Sequence, residues 1–506
     1  LSSGLVQALR EGQPTGARLP PDGTVGLPIR TIQFGEGKFL RAFVEPFFQS
    51  ANEAGLGLGG IGVVQPIPKG WSAELASQDC LYTVGVQGLD PDTGETIDSA
   101  RVMGSVSASL SAYDHWQEVV SLAQSERVRF VISNTTEAGI ALDPLDGMEQ
   151  APPRSFPAKV TMLLYHRYRK LGGDHASPLV FLPCELIERN GGRLRECVSE
   201  LIDRWKMGGS FKEWATRRNV YLSTLVDRIV TGPPERADRS RWRERLGFED
   251  RLLDLAEPFH LWLIQGDPSL EEELPFRKAG LSVRFVADLG PYRRRKVRLL
   301  NGAHTALTAL GLLASIETVG QAMSRPDLAR LVEEMMEREI CPTLSVPLEE
   351  AIAFGRQVRR RFRNPFVAHR LADISLNTSS KMKVRLLPSL LDVFERTGRA
   401  PSRLCLAFAA NLMLYDPSSK TSLTPEDDPE RTRTLKKVWR SGEAASPEEM
   451  RCQARRFLEL AELWGYDLAQ HSEIVDKVGE ALWILRSGSV EEGIDWACEH
   501  PTPPRR

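Results

Sequence analysis

Short runs of β-branched and apolar residues alternate with helix-period stretches through the first half of the chain. That alternation constrains the fold more than any other feature. The runs are RTIQF (30–34), IGVVQ (61–65), VRFVISN (128–134), PLVFLPC (178–184) and VRFVADL (283–289). Between them lie amphipathic stretches at 38–53, 113–124 (YDHWQEVVSLAQ) and 156–171 (FPAKVTMLLYHRYRKL). Strand and helix in strict alternation predict an α/β fold with a parallel, doubly wound sheet. After about residue 290 the strand signal stops, and helix-period sequence such as QAMSRPDLARLVEEMMEREI (321–340) and KVGEALWILRSG (477–488) takes over. The expected organisation is an expanded Rossmann-like domain over 1–290 and a mostly α-helical domain over 291–506. A length of 506 residues suits two or three domains. No internal repeat is visible. Loops are expected at 231–240 and 415–430, and a frayed tail at HPTPPRR (500–506).

The bulk properties exclude several classes. The net charge of −2, with both signs mixed along the chain, leaves no basic footprint for nucleic acid or an anionic membrane. No apolar run approaches the roughly 20 residues of a membrane span. The seven cysteines form no C-x-x-C pair, and the eight histidines form no H-x-x-H or H-E-x-x-H pattern. A reduced, cytoplasmic protein without a disulfide framework or a zinc site is expected. The opening LSSGLVQALREGQ has no signal-peptide core, and the missing initiator Met points to a trimmed or processed chain.

Two stretches carry chemistry. The first is TIQFGEGKFLRAFVEPFF, where Gly35 and Gly37 fall at the turn from the first strand into a helix. Glycines there let the backbone approach a pyrophosphate whose charge a helix N-terminus can hold. Phe34, Gly35, Gly37, Lys38 and Phe39 are therefore cofactor-binding candidates. Leu40 takes the third glycine position of G-x-G-x-x-G, and Gln65 ends the second strand where a ribose-binding acid often stands. A plain tight turn is the alternative. The segment SNTTEAG follows the 128–134 strand, where doubly wound sheets bind ligand. It offers Asn134, Thr135 and Glu137 to a nicotinamide ribose; an ordinary strand-to-helix loop competes with that reading.

The second stretch is KVRLLNGAHTAL (296–307), an apolar helix interrupted by Lys296, Asn301 and His304. At about 100° per residue, His304 lies about 80° and Asn301 about 140° from Lys296. The three share one arc beside Leu299, Leu300, Ala303 and Leu307. Metal-free oxidation of a secondary alcohol needs a base for the hydroxyl proton and a donor for the developing alkoxide. A Lys suits the first task, an Asn amide the second, and a His can position the substrate or tune the Lys. The competing reading is a solvated helix face next to the basic run RRRKVR.

These residues resemble a known family. KVRLLNGAHTAL is similar to the K-x4-N-x2-H signature of the long-chain mannitol dehydrogenase family, a set of metal-independent polyol and sugar-acid dehydrogenases. GEGKFLRA (35–42) resembles its glycine turn. STLVDRIVTG (223–232), EPFHLWLIQ (257–265) and RFRNPF (361–366) match further blocks. The resemblance, from about residue 30 to 390, implies an expanded Rossmann domain followed by a helical domain. It also implies NAD as cofactor, Lys296 as catalytic acid–base, Asn301 as oxyanion donor and His304 as a further site residue. LASQDCLYTV, RFVISNTTEAGI, SFPAKVTMLL and LPCELIERNGG resemble the branch that acts on keto sugar acids. That branch implies interconversion of D-tagaturonate and D-altronate in galacturonate breakdown. Two departures matter. Leu186 stands where mannitol dehydrogenases carry a second oxyanion-donating Asn, with Asn190 as the substitute at hand. Asp373 stands where they carry an Arg eight residues before a substrate-binding Lys, here Lys381. A substrate carboxylate wants a cation, and the candidates are Lys381, Arg385, Arg363 and Arg228, the last also readable as a structural pair with Asp227. The alternatives are a fructuronate/mannonate or mannitol/fructose oxidoreductase, an epimerase that retains its NAD, and a non-catalytic sensor on the same scaffold. A monomer or homodimer binding a small sugar acid, with no nucleic-acid or membrane partner, is expected.

Overall fold

The structure, a computed structural model, describes residues 1–136, 138–418, 425–439 and 446–500. The chain divides into two compact units. One comprises residues 1–87 and 96–289, the other residues 88–95 and 290–506. Residues 88–95, which the sequence reading puts in the first domain, thus group with the second.

The first unit is built on a six-stranded sheet: β1 (Ile29–Phe34), β2 (Gly60–Gln65), β3 (Val106–Ser111), β4 (Phe130–Ser133), β5 (Val180–Pro183) and β6 (Val220–Tyr221). Their spatial order is 3-2-1-4-5-6 and every pair is parallel. This is the doubly wound Rossmann arrangement, with its switch point between β1 and β4. β2, β4 and β5 are buried along their whole length, which is why their sequences read as continuous apolar runs. An aromatic cluster that includes Phe43, Phe47, Phe48, Trp262 and Phe276 forms one core. Trp116, Val160, Leu164, Val198 and Trp214 belong to another.

Three expectations need correction. The run at 283–289 does form a strand, Val283–Val286, but it lies in a separate three-stranded sheet with Leu261–Gln265 and Ser223–Asp227. A four-stranded sheet of Val230–Gly232, Asp254–Ala256, Tyr82–Leu89 and Thr96–Met103 was not anticipated. The helix expected over 38–53 is interrupted: Lys38–Arg41 is a single turn, and Val44–Glu53 follows after a break at Ala42 and Phe43. Of the two expected loops, 231–240 holds the end of one strand and the start of the helix Arg239–Leu246. In the other, residues 419–424 lie outside the described residues, as do 501–506 of the tail.

The second unit is helical. Its helix Ser402–Met413 is buried on every side, so it is apolar all round rather than amphipathic. The one cation in it, Arg403, is paired with Glu334 and with Glu339, whose carboxylate also accepts the Arg403 and Leu404 backbone N–H groups at 3.1 and 3.0 Å. Burial pushes the Glu339 carboxyl up to about 7 despite these partners. No helix among the described residues is long and apolar enough to cross a membrane. Among them, no three His, Cys, Asp or Glu side chains are grouped to hold a metal ion. All seven cysteines are free thiols, five of them buried.

Candidate active site

Gly35 sits where β1 leaves the sheet, with φ at +111°. Its N–H donates to the Val64 carbonyl at 3.0 Å, and a Cβ placed on it would come within 2.9 Å of the Asn134 carbonyl oxygen. Both the conformation and the close approach of β4 therefore require glycine. Gly37 differs: its φ is −70°, and a Cβ there would meet open space. The turn thus leaves room over Gly37 at the switch point, as a pyrophosphate site needs.

The neighbouring candidates have mixed fates. Phe34 is buried with its ring edge-on to Phe156 at 5.1 Å, and Phe39 stacks on Phe43 at 4.9 Å. Both are core packing, so only their backbone belongs to the turn. Lys38 donates to the Thr231 carbonyl at 3.1 Å. Gln65 is buried and holds the segment after β2: its amide donates to the Ile67 carbonyl at 2.8 Å, and its oxygen accepts from the Ser72 N–H and hydroxyl. Glu137 lies outside the described residues.

Beneath the turn is a polar network that the sequence reading missed. The Arg41 guanidinium donates to the Glu36 carbonyl, between the two glycines, and pairs with buried Asp254 at 2.7 Å. Glu45 is wholly buried, holds Gln33 at 2.7 Å and takes a hydrogen bond from the Tyr82 hydroxyl. Burial raises the Glu45 carboxyl. The signal available in the sequence was a lone carboxylate inside the apolar run FVEPFF. After β4, Glu185 was missed in the same way. Its carboxylate accepts the Thr135 N–H at 3.0 Å, the Thr135 hydroxyl at 2.9 Å and the Ser133 hydroxyl at 3.1 Å. Desolvation raises its pKa. Asn134 donates to the Cys184 carbonyl at 2.9 Å. The Asn134–Thr135 loop is thereby tied to the end of β5.

Asn190 does not replace the missing oxyanion donor. Its amide reaches the carbonyls of Pro183, Glu185 and Thr224 at 2.9, 3.0 and 3.2 Å, and its oxygen accepts the Gly191 and Thr224 N–H groups. Every polar atom of the side chain is spent on backbone. Asn190→Ala is therefore expected to cost about 2–4 kcal/mol of stability through orphaned buried groups, read by denaturant unfolding. An unchanged midpoint would refute the structural role. Leu186 is 62% exposed and supplies no donor. Arg228 is held by the Glu257 carbonyl at 2.9 Å and the Ala42 carbonyl at 2.6 Å. Burial lowers its pKa to about 10, with Glu257 opposing. It braces backbone, beside the buried Asp227.

In the helical unit the signature residues do come together, but on a helix of another kind. Gly290–Arg295 is α-helical, Lys296–Gly302 is a π-helix, and Ala303–Leu313 is α-helical again. Bonds from i to i+5 bring Lys296 and Asn301 one turn apart, closer on the helix surface than the 100° spacing allows. Such widened turns recur at functional sites. The Asn301 side-chain amide makes no hydrogen bond to a described residue, whereas its carbonyl accepts from the Thr305 hydroxyl at 2.9 Å. His304 is buried, stacked on Phe362 at 4.0 Å and edge-on to His369 at 5.2 Å. Burial, then His369, Arg361, Arg385 and Lys381, hold its imidazole well below the usual range. His304 is neutral at physiological pH.

Lys381 closes the short helix Thr378–Lys381, and a second π-helix, Met382–Leu386, carries Arg385. A Cβ on Gly302 would stand 3.0 Å from the Arg385 carbonyl, so the two π-helices abut at the signature. Lys381 donates to the Ile374 carbonyl at 2.7 Å. Burial, then Arg385, lowers its pKa, with Asp427 opposing. Arg361, not anticipated, is also buried beside His304. Asp373 and Arg363 are exposed.

Residues 29–278 match the mannitol dehydrogenase Rossmann domain and residues 288–485 the mannitol dehydrogenase C-terminal domain. The chain is 40% identical over 471 residues to an altronate oxidoreductase of Yersinia pestis bv. Antiqua (strain Nepal516), covering 92% of this chain and 96% of the relative. It is 38% identical over 472 residues to an altronate oxidoreductase of Bacillus subtilis (strain 168), covering 93% and 95%. Among solved structures, a substrate-free D-sorbitol dehydrogenase superposes with a TM-score of 0.79 at 22% identity, covering 97% of this chain and 99% of the other. The Pseudomonas fluorescens mannitol 2-dehydrogenase ternary complex with NAD and D-mannitol gives 0.68 at 23%, covering 99% and 100%. With both domain models matched and relatives of this identity over nearly its whole length, the chain belongs to the mannitol dehydrogenase family.

Proposed function

We propose that the chain is an NAD-dependent reductase that interconverts D-tagaturonate and D-altronate in galacturonate breakdown. The observation that carries this reading is the intact trio, Lys296 and Asn301 on a π-helix and His304 on the α-helix that continues it, amid Arg361, Lys381 and Arg385. The 40% identity to altronate oxidoreductases supports the choice of substrate.

The glycine turn fits a dinucleotide. Gly35 is forced, Gly37 opens onto space, and the Asn134–Thr135 loop is fixed at the β1–β4 switch point. A bound nicotinamide supplies the hydride for the keto carbon, or takes it back in the reverse direction. As hydride reaches the carbon, charge builds on the carbonyl oxygen. Asn301 donates its amide N–H to that oxygen, and the Lys296 ammonium gives it a proton. In oxidation, neutral Lys296 removes the hydroxyl proton. The neutral His304 ring, fixed by Phe362 and His369, orients a substrate hydroxyl without adding charge.

The test is a panel of tagaturonate, fructuronate, fructose and tagatose, each with NADH and with NADPH. The expected result is highest kcat/KM for tagaturonate with NADH. A clear preference for fructose or fructuronate overturns the substrate, and a preference for NADPH overturns the cofactor.

A further inference from the structure

The buried cations of the helical unit are, with few exceptions, paired with acids. Arg295 pairs with Glu350 at 2.7 Å, Arg298 with Asp392, Arg359 with Glu333 and Glu337 at 3.0 and 2.9 Å, and Arg403 with Glu334 and Glu339. Arg385 is different. It is partly buried, yet its guanidinium makes no hydrogen bond or ion pair among the described residues. Burial alone lowers its pKa, with no carboxylate opposing. Asp427, the acid that acts on neighbouring Lys381, is committed: it accepts the Ser379 N–H at 2.7 Å and the Tyr415 hydroxyl at 2.5 Å.

A desolvated guanidinium without an anion is costly, and Arg385 has no anion among the described residues. Its position gives the reason. The Arg385 backbone abuts Gly302, the residue after Asn301, and its charge bears on His304. Lys381 lies one turn earlier, with its amine turned to the Ile374 carbonyl. Asp373 is exposed on another turn.

We propose that Arg385 grips the substrate carboxylate by a charge-assisted, two-pronged hydrogen bond, and so selects keto-uronates over ketoses that carry CH2OH in its place. This assignment rests on the reading of the chain as a keto-sugar-acid reductase. The carboxylate at C6, where tagatose carries CH2OH, is the one group that separates tagaturonate from tagatose. A planar guanidinium matches it in shape as well as charge.

The experiment compares the full-length wild type with Arg385→Met and Arg385→Lys. It reads KM for tagaturonate and the ratio of kcat/KM for tagaturonate over tagatose. Calorimetric titration of altronate into the protein loaded with NADH, a pair in which neither partner can accept a hydride, gives binding without turnover. Arg385→Met is expected to raise the tagaturonate KM about 20-fold or more, to lower the ratio by a similar factor, and to weaken altronate binding in parallel. Arg385→Lys, which keeps the charge and controls for folding, is expected to lose less. A KM within about 3-fold of wild type in Arg385→Met, or equal losses on tagaturonate and tagatose, overturns the assignment. A wild type that prefers tagatose to every keto-uronate overturns the underlying reading instead, and does so before any substitution is made. A wild type that prefers fructuronate removes the named substrate but leaves Arg385 tested by the same comparison with fructose.

Discussion

Lys296→Ala is expected to lower kcat/KM near neutral pH by about 1,000-fold, or about 4 kcal/mol of transition-state stabilisation. The hydride acceptor and donor positions are untouched by this change, so NADH binding, followed by protein fluorescence, should stay within about 2-fold of wild type. The effect is large because the proton has no other carrier of the right kind on that turn. Asn301, one i to i+5 step away on the π-helix, can donate but has no proton to exchange, and His304 is buried against Phe362. Asn301→Ala should cost less, about 100-fold, as expected for the loss of one oxyanion donor. Wild-type turnover in Lys296→Ala would move the acid–base to another residue.

Gly35→Ala is expected to weaken NADH binding by about 30-fold or more and to lower stability by about 1–3 kcal/mol. At φ +111° any Cβ is strained, and here it would also press within 2.9 Å of the Asn134 carbonyl oxygen. The atom met most closely is backbone rather than the end of a flexible side chain, so relief must come from parting β1 and β4 at the switch point. Gly37→Ala provides the contrast. Its backbone is in ordinary extended geometry and its Cβ would meet open space, so unfolding should be little changed while cofactor binding falls. Equal effects on unfolding at the two positions would refute this account of the turn. So would normal NADH affinity in Gly35→Ala.

The doubly wound sheet was legible because its central strands are buried on both faces and spell unbroken apolar runs. β3 was not, since VSASLS carries serines and is only partly buried. The four-stranded sheet hides behind glycines in YTVGVQGL and the exposed start of Thr96–Met103. At the site, spacing alone offered an α-helical face for Lys296, Asn301 and His304. The π-helix that draws the first two together leaves no mark in a 3.6-residue pattern. Asn190 and Arg228 read as polar candidates because their neighbours in space, the carbonyls of Pro183, Thr224, Ala42 and Glu257, are invisible in sequence. Glu185 escaped notice for the converse reason. Its partners, the Thr135 and Ser133 groups, come from 50 and 52 residues away.

The most direct test of the central claim is the stoichiometry of a single reaction. Wild-type protein is given tagaturonate and limiting NADH, and the altronate formed is measured against the NADH consumed. The account predicts one altronate for each NADH, with the new hydrogen on the former keto carbon. Conversion of tagaturonate to another uronate without net consumption of NADH, or no turnover of tagaturonate at all, would contradict it.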